Sequence, residues 1–164
     1  ILIDLKEIKN KIVTKNNLYC LFIILIIFFL DRYTKFFILN NITENTYYLN
    51  DYINLDLVWN IGIGFGLLST DSLIIYNSIS IIIIIVIAVL IYMLIKSSHM
   101  DKFIYTIIIG GALGNFYDRL VYQGVPDFID LHYNNFHWFT FNVADIFITI
   151  GVSAFIIRSF FIKN

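Results

Sequence analysis

LIIYNSISIIIIIVIAVLIYMLI, residues 73–95, runs for 23 residues without a charge. A helix needs roughly 20 mostly apolar residues to cross about 30 Å of hydrocarbon, so this stretch reads as a membrane span. Working outward from it, three more windows have the same character: 18–39, 103–120 and 139–161. The first is uncharged from Leu18 to Leu30 and then meets Asp31, Arg32 and Lys35. It lies too far from the start, and ends too poor in small residues, to read as a cleavable signal peptide. The chain is 59% hydrophobic and 14% charged, against about 45–50% and 25% in soluble domains. The expected fold is a membrane all-α protein forming a single integral membrane domain over residues 1–164. It has four transmembrane helices and a small extracytoplasmic β-sheet platform between helices 1 and 2.

Lys6, Lys9, Lys11 and Lys15 precede the first span, Lys96 and Lys102 lie between the second and third, and Arg158 and Lys163 close the chain. Residues 36–72 hold no Lys or Arg, only Glu44, Asp51, Asp56 and Asp71. Basic residues favour the cytoplasmic side, which puts both termini and the 96–102 loop there and turns 40–72 and 121–138 outward. Arg32, Lys35 and Arg119 break this rule at the outward ends of spans, which points to a job for them. From Leu49 to Trp59 the odd positions are apolar with one exception, a period-two pattern that predicts a strand. A second short strand around Gly64–Leu68 is expected to pair with it.

Charge and cysteine content narrow the function. A net charge of −1 provides no basic stripe for nucleic acid. The lone Cys20, after bulky Tyr19, excludes a disulfide framework and reads as core packing rather than lipidation. His132 and His137 have no convincing third ligand, so no metal is expected, and no cofactor. NIGIGFG at 60–66 has alternate glycines that permit close backbone approach. It lacks the Lys–Ser/Thr of a phosphate loop, so a turn or a peptide-binding edge fits better.

An Asp near the centre of a span costs about 2.5–3.5 kcal/mol on insertion scales, which makes each such acid a functional candidate. Asp145 lies in FNVADIFITIGV with Asn142 three residues earlier on the same helical face; it is either a structural acid or a working one. Asp31 and Lys35 are spaced to pair along one face, more naturally as scaffolding than as chemistry. Gly110 and Gly114 let another helix approach. Asn115 and Arg119 share a face with Asp118 beside them, and the planar fork of Arg119 suits carboxylates or polarised carbonyls. Asp127 and Asp145 meet if the 121–138 loop folds over the fourth span. Two close carboxylates cannot both ionise cheaply, so one keeps its proton, the arrangement with which an aspartic protease activates water. The competing reading is a small four-span proton-coupled transporter relaying protons through Asp31, Asp118 and Asp145. That reading asks for acids spread through the membrane depth, whereas these collect at the outward ends.

Taken in order, the motifs resemble those of the bacterial lipoprotein signal peptidases (signal peptidase II). DRYTK at 31–35 is similar to D-x-x-T/S-K, and NIGIGF at 60–65 to N-x-G-x-A/S-F with Gly64 in place of Ala or Ser. GGALGNFYDR at 110–119 matches G-G-x-x-G-N-x-x-D-R, VPDFID at 125–130 matches V-V-D-F-x-D except at Pro126, and FNVAD at 141–145 matches F-N-x-A-D. The resemblance implies that Asp127 and Asp145 are catalytic and that Asn60, Gly62, Asn115, Arg119 and Asn142 line the substrate site. It gives Asp31, Lys35, Asp118 and Asp130 supporting roles. It also implies a diacylglyceryl-modified prolipoprotein as substrate, cut before the lipid-bearing cysteine, and membrane lipid as the other partner. The expected setting is the bacterial cytoplasmic (inner) membrane, with the site at its outer face and the protein a monomer. Pro126 removes a backbone N–H just before Asp127 and restrains Val125, which could shift the aspartate.

Overall fold

The computed structural model describes residues 12–42, 46–62 and 73–161. Among them lie four helices, α1 (Lys15–Asn41), α2 (Leu73–Lys96), α3 (His99–Tyr122) and α4 (Val143–Phe161). Between α1 and α2 come β1 (Tyr47–Asn50) and β2 (Ile53–Asn60), and between α3 and α4 come β3 (Val125–Tyr133) and β4 (Phe136–Phe141). Ile74–Lys96 and Val143–Phe161 are long and apolar enough to cross a membrane by length and composition. The windows 18–39 and 103–120 also lie in long helices, of 27 and 24 residues, but these are interrupted by charge. Their charged groups turn inward: Lys35 is 1% exposed and Asp31 and Asp118 are fully buried, whereas Phe22, Phe29 and Phe36 are 62%, 62% and 69% exposed. Charge inside and aromatic rings outside invert the soluble pattern and fit an apolar surround.

Helix α3 is the hub, packed against α1, α2 and α4 and touching β3. Its glycines make that possible. A Cβ on Gly111 would lie 2.5 Å from the Ala144 carbonyl oxygen of α4, and one on Gly114 would lie 2.5 Å from Asp31 Oδ2 of α1. The close approach that small residues permit therefore runs to two helices at once. Towards the other end of the bundle Cys20 is buried with Ile24, Leu94, Tyr105 and Ile109, as core packing requires. There Arg158 of α4 pairs with Asp101 of α3, and Lys102 Nζ donates to Asn17 Oδ1 of α1 at 2.6 Å.

The sheet differs from the expectation in how its strands are cut and in which segments supply them. Leu49–Trp59 is not one strand but the greater part of a hairpin, broken at Asp51 and Tyr52. The turn forms because Asn50 Oδ1 accepts the backbone N–H groups of Tyr52 and Ile53, at 2.9 and 3.0 Å, a local bond that competes with strand extension. The proposed strand at Gly64–Leu68 lies outside the described residues. Among the described residues β2 pairs with β1 on one side and β3 on the other, in the order β1-β2-β3-β4 with all pairs antiparallel. The platform is thus built from both interhelical segments and is not confined between the first two helices. β3 escaped the period-two reading because its first four residues are all buried, as in a strand covered on both faces, and a doubly covered strand shows no alternation. The fourth helix begins at Val143 rather than Phe139, because Phe136–Phe141 carries four aromatic residues and extends as β4. Pro126 fits this sheet: β4 joins β3 only from Ile129 onward, so the strand is open on one side there and the missing N–H need cost no ladder bond.

Candidate active site

A bulge aims the first side chain. Leu55 lies opposite Ile129 and Val58 opposite Asp127, so two residues of β2, Asp56 and Leu57, oppose the single Phe128 of β3. Side chains alternate between faces, so the extra residue brings Asn60 onto the face of Asp127; an unbroken ladder would have turned it away. Asn60 Nδ2 then donates to Asp127 Oδ2 at 2.9 Å, while its Oδ1 accepts the Gly62 backbone N–H at 3.0 Å. The Gly62 carbonyl in turn accepts from Arg119 Nη2 at 2.8 Å. Arg119 Nη1 reaches the Asn115 carbonyl at 3.2 Å, and its buried Nε has no partner among the described residues.

The second acid sits at a helix start. Asn142 does not share a helical face with Asp145; it precedes α4 and caps it. Asn142 Oδ1 accepts the Asp145 N–H at 3.0 Å, and Asp145 Oδ2 accepts the Asn142 N–H at 3.1 Å. This reciprocal pair, three residues apart, is a capping box that satisfies otherwise orphaned donors. The amide of Asn142 also donates to Asp127 Oδ1 at 2.5 Å, so one asparagine touches both acids. The neighbouring Ala144 N–H is taken by Asp31 Oδ1 of α1 at 3.0 Å, a cap supplied from 113 residues away.

Behind Asp145 lies a buried charge cluster. Lys35 Nζ donates to Asp31 Oδ2 at 2.9 Å, Asp118 Oδ2 at 2.6 Å and Asn115 Oδ1 at 2.8 Å. Asn115 Nδ2 then donates to Asp145 Oδ1 at 2.8 Å. Arg32, which the sequence marked as misplaced without assigning it a role, completes the cluster by gripping Asp118 at 2.5 and 2.8 Å and Asp31 at 2.9 Å. Two cations balance two carboxylates, the condition under which buried charge is tolerated. Asp31 and Asp118, which a proton relay needs free to titrate, are each bonded to both cations.

Asp127, Asp145, Asn60, Asn115 and Arg119 line one cavity of about 650 Å³ between α2, α3, α4 and the sheet, with otherwise largely aliphatic walls. Burial, and after it the charge of Asp145, pushes Asp127 up to about 6, against the opposing hydrogen bonds of Asn60 and Asn142 and the charge of Lys35. Two carboxylates in such a setting can share one proton and activate water between them. Asp130 is three residues from Asp127 along β3 and so faces away from it. It bonds His137 Nδ1 at 2.7 Å and Asn54 Nδ2 at 3.5 Å. His132 stacks on His137 with ring centroids 5.4 Å apart. Among the described residues no group of three His, Cys, Asp or Glu side chains is arranged to hold a metal ion.

The sequence pattern of the family described as signal peptidase (SPase) II matches residues 23–161. The lipoprotein signal peptidase of Pelagibacter ubique (strain HTCC1062) is 51% identical over 158 residues, covering 94% of this chain and 95% of the relative. That of Francisella tularensis subsp. novicida (strain U112) is 42% identical over 148 residues, 82% and 86% of the two chains. That of Blochmanniella pennsylvanica (strain BPEN) is 40% identical over 160 residues, 91% and 94%. Two solved structures of bacterial membrane enzymes share the fold. One has TM-score 0.76 at 29% identity over 87% of each chain; the other has TM-score 0.73 at 28% identity over 89% of this chain and 94% of that one.

Proposed function

The chain belongs to the signal peptidase II family, aspartic-type membrane peptidases that remove signal peptides from prolipoproteins, and on that premise we propose that Asp127 and Asp145 are the two acids that carry out the cleavage. The observation behind this reading is the shared contact of Asn142 with both carboxylates at the head of one apolar cavity. Water held between the acids gives a proton to the ionised carboxylate as its oxygen attacks the scissile carbonyl carbon. The protonated carboxyl supplies the proton that the departing amine of the lipid-modified cysteine needs. Of the Arg119 guanidinium nitrogens, Nε alone has no partner among the described residues, which leaves it to donate to a substrate carbonyl, and the Gly62 backbone is held from both sides by Asn60 and Arg119. The cut falls just before the diacylglyceryl-bearing cysteine, whose acyl chains keep that bond at the membrane surface.

All four helices cross the bacterial inner membrane, the site faces outward and both termini are cytoplasmic. Lys15 at the start of α1, Lys96 at the end of α2, Lys102 near the start of α3 and Arg158 near the end of α4 all support this, since they mark one end of the bundle. Asp145 and the sheet stand at the other. The test is cleavage of a lipid-modified prolipoprotein by reconstituted protein. Wild type cleaves, and Asp127→Asn and Asp145→Asn each abolish turnover; retained cleavage by either variant would remove that acid from the mechanism.

A further inference from the structure

Three asparagine amides contact the two acids, and none of them is free to flip. An amide oxygen must face a donor. Asn60 Oδ1 faces the Gly62 N–H, Asn142 Oδ1 faces the Asp145 N–H and Asn115 Oδ1 faces the Lys35 ammonium. Each NH2 therefore points at a carboxylate. Asp127 receives two donors, from Asn60 and Asn142; Asp145 also receives two, from Asn115 and the Asn142 backbone.

Counting bonds does not separate the two acids, but what stands behind the donors does. The amides on Asp127 are backed by neutral backbone N–H groups, whereas the amide on Asp145 is backed by a full cation, which polarises it into a stronger donor. Asp145 also lies in the first turn of α4, where the helix dipole favours negative charge. The contact is not incidental to Lys35: an ammonium has three hydrogens, and they go to Asp31, Asp118 and Asn115. The other charged groups around the pair are Asp31 and Arg32 from α1 and Asp118 and Arg119 from α3. From α2 comes Tyr76, whose hydroxyl donates to the Arg119 carbonyl.

We propose that Lys35 is a positioning residue that acts through Asn115 to keep Asp145 the ionised member of the pair, and so the base, which leaves the shared proton on Asp127. Asn115 is then a bridge with both amide atoms engaged rather than a substrate contact. The proposal rests on the reading of Asp127 and Asp145 as the catalytic pair.

The experiment is the pH dependence of kcat and kcat/KM for the full chain reconstituted with a lipid-modified prolipoprotein. The variants are Asn115→Ala, the charge-balanced pair Lys35→Met with Asp118→Asn, and the triple combination. Loss of the polarised donor makes the base easier to protonate, so the acid limb of the profile moves up by about one pH unit. That is a roughly tenfold loss of kcat on the acid side, with KM little changed. The triple variant should be no worse than Asn115→Ala alone, because both changes break one chain of bonds. An acid limb that stays at its wild-type position in active, folded variants overturns the proposal, as do penalties that multiply. Asp145→Asn run alongside separates the two levels: if it still cleaves, the catalytic reading itself falls. If it is inactive while the limb stays fixed, only the role of Lys35 and Asn115 falls.

Discussion

Replacing Asp127 by Asn should abolish cleavage and, at neutral to alkaline pH, relieve the folded protein of a cost. Asp127 is 3% exposed, and burial with the nearby Asp145 charge raises it from an ordinary 3.8 to about 6. Below about pH 3.8 the carboxyl is protonated folded or unfolded, and its contribution to stability is fully present. Between there and about pH 6 the unfolded chain gives up the proton while the folded chain keeps it, so stability falls as pH rises. Above pH 6 both are ionised and the loss is complete. About two pH units at about 1.4 kcal/mol each make roughly 3 kcal/mol. Asn does not ionise and escapes this loss. It sets its own NH2 against one of the two incoming amide donors, a penalty of about 1–3 kcal/mol that does not depend on pH and cancels when two pH values are compared. The variant should therefore gain roughly 6–12 °C in Tm relative to wild type between pH 4 and pH 8, at about 2–4 °C per kcal/mol for a chain of this size. Tryptophan fluorescence in detergent micelles suits the measurement, since Trp59 lies on β2 and Trp138 on β4, in the sheet that carries Asp127. A Tm difference that is the same at both pH values, or that moves the other way, refutes the account.

Cleavage should fall as the pair loses its shared proton, so kcat/KM of wild type should have an alkaline limb near pH 6, the value to which burial and Asp145 raise Asp127; a profile flat to pH 9 would contradict this. Asn142→Ala removes the cap of α4 and a donor to Asp127 together. It should cost about 0.5–2 kcal/mol in stability and about a hundredfold or more in kcat, measured by denaturation and by turnover. Asp31→Ala leaves Arg32 and Lys35 with one carboxylate between them and strands the Ala144 N–H. A loss of roughly 3–5 kcal/mol is expected in denaturant titrations, with Asp31→Asn milder because its carbonyl still accepts from Ala144.

Much of the site was legible because each motif is local. Asp145 with Asn142, Asp31 with Lys35, and Asn115 with Arg119 are pairs whose spacing alone brings them near one another. Spacing misleads on the local state: three residues apart reads as one helical face, but Asn142 caps α4 instead of riding on it, and only the hydrogen bonds distinguish the two. The segment after Tyr122 reads as a loop by its position between spans, although Asn134 and Asn135 ahead of the aromatic run FHWFTF carry a hairpin signal. Asp130 shares a motif with Asp127 but faces His137 on the other side of the sheet, as strand parity requires.

By itself the sequence determined where apolar helices form, which cations are out of place and which family the ordered motifs belong to. These rest on composition and on periods of a few residues, which the chain carries wherever it folds. Only the tertiary structure decided who partners whom. Asn60 meets Asp127 across 67 positions and through a bulge, Arg32 meets Asp118 across 86, and Asp31 caps α4 across 113. No local period encodes such contacts. They exist because glycines on α3 bring α1 and α4 within reach, and because a buried charge or N–H must find a partner wherever the fold supplies one.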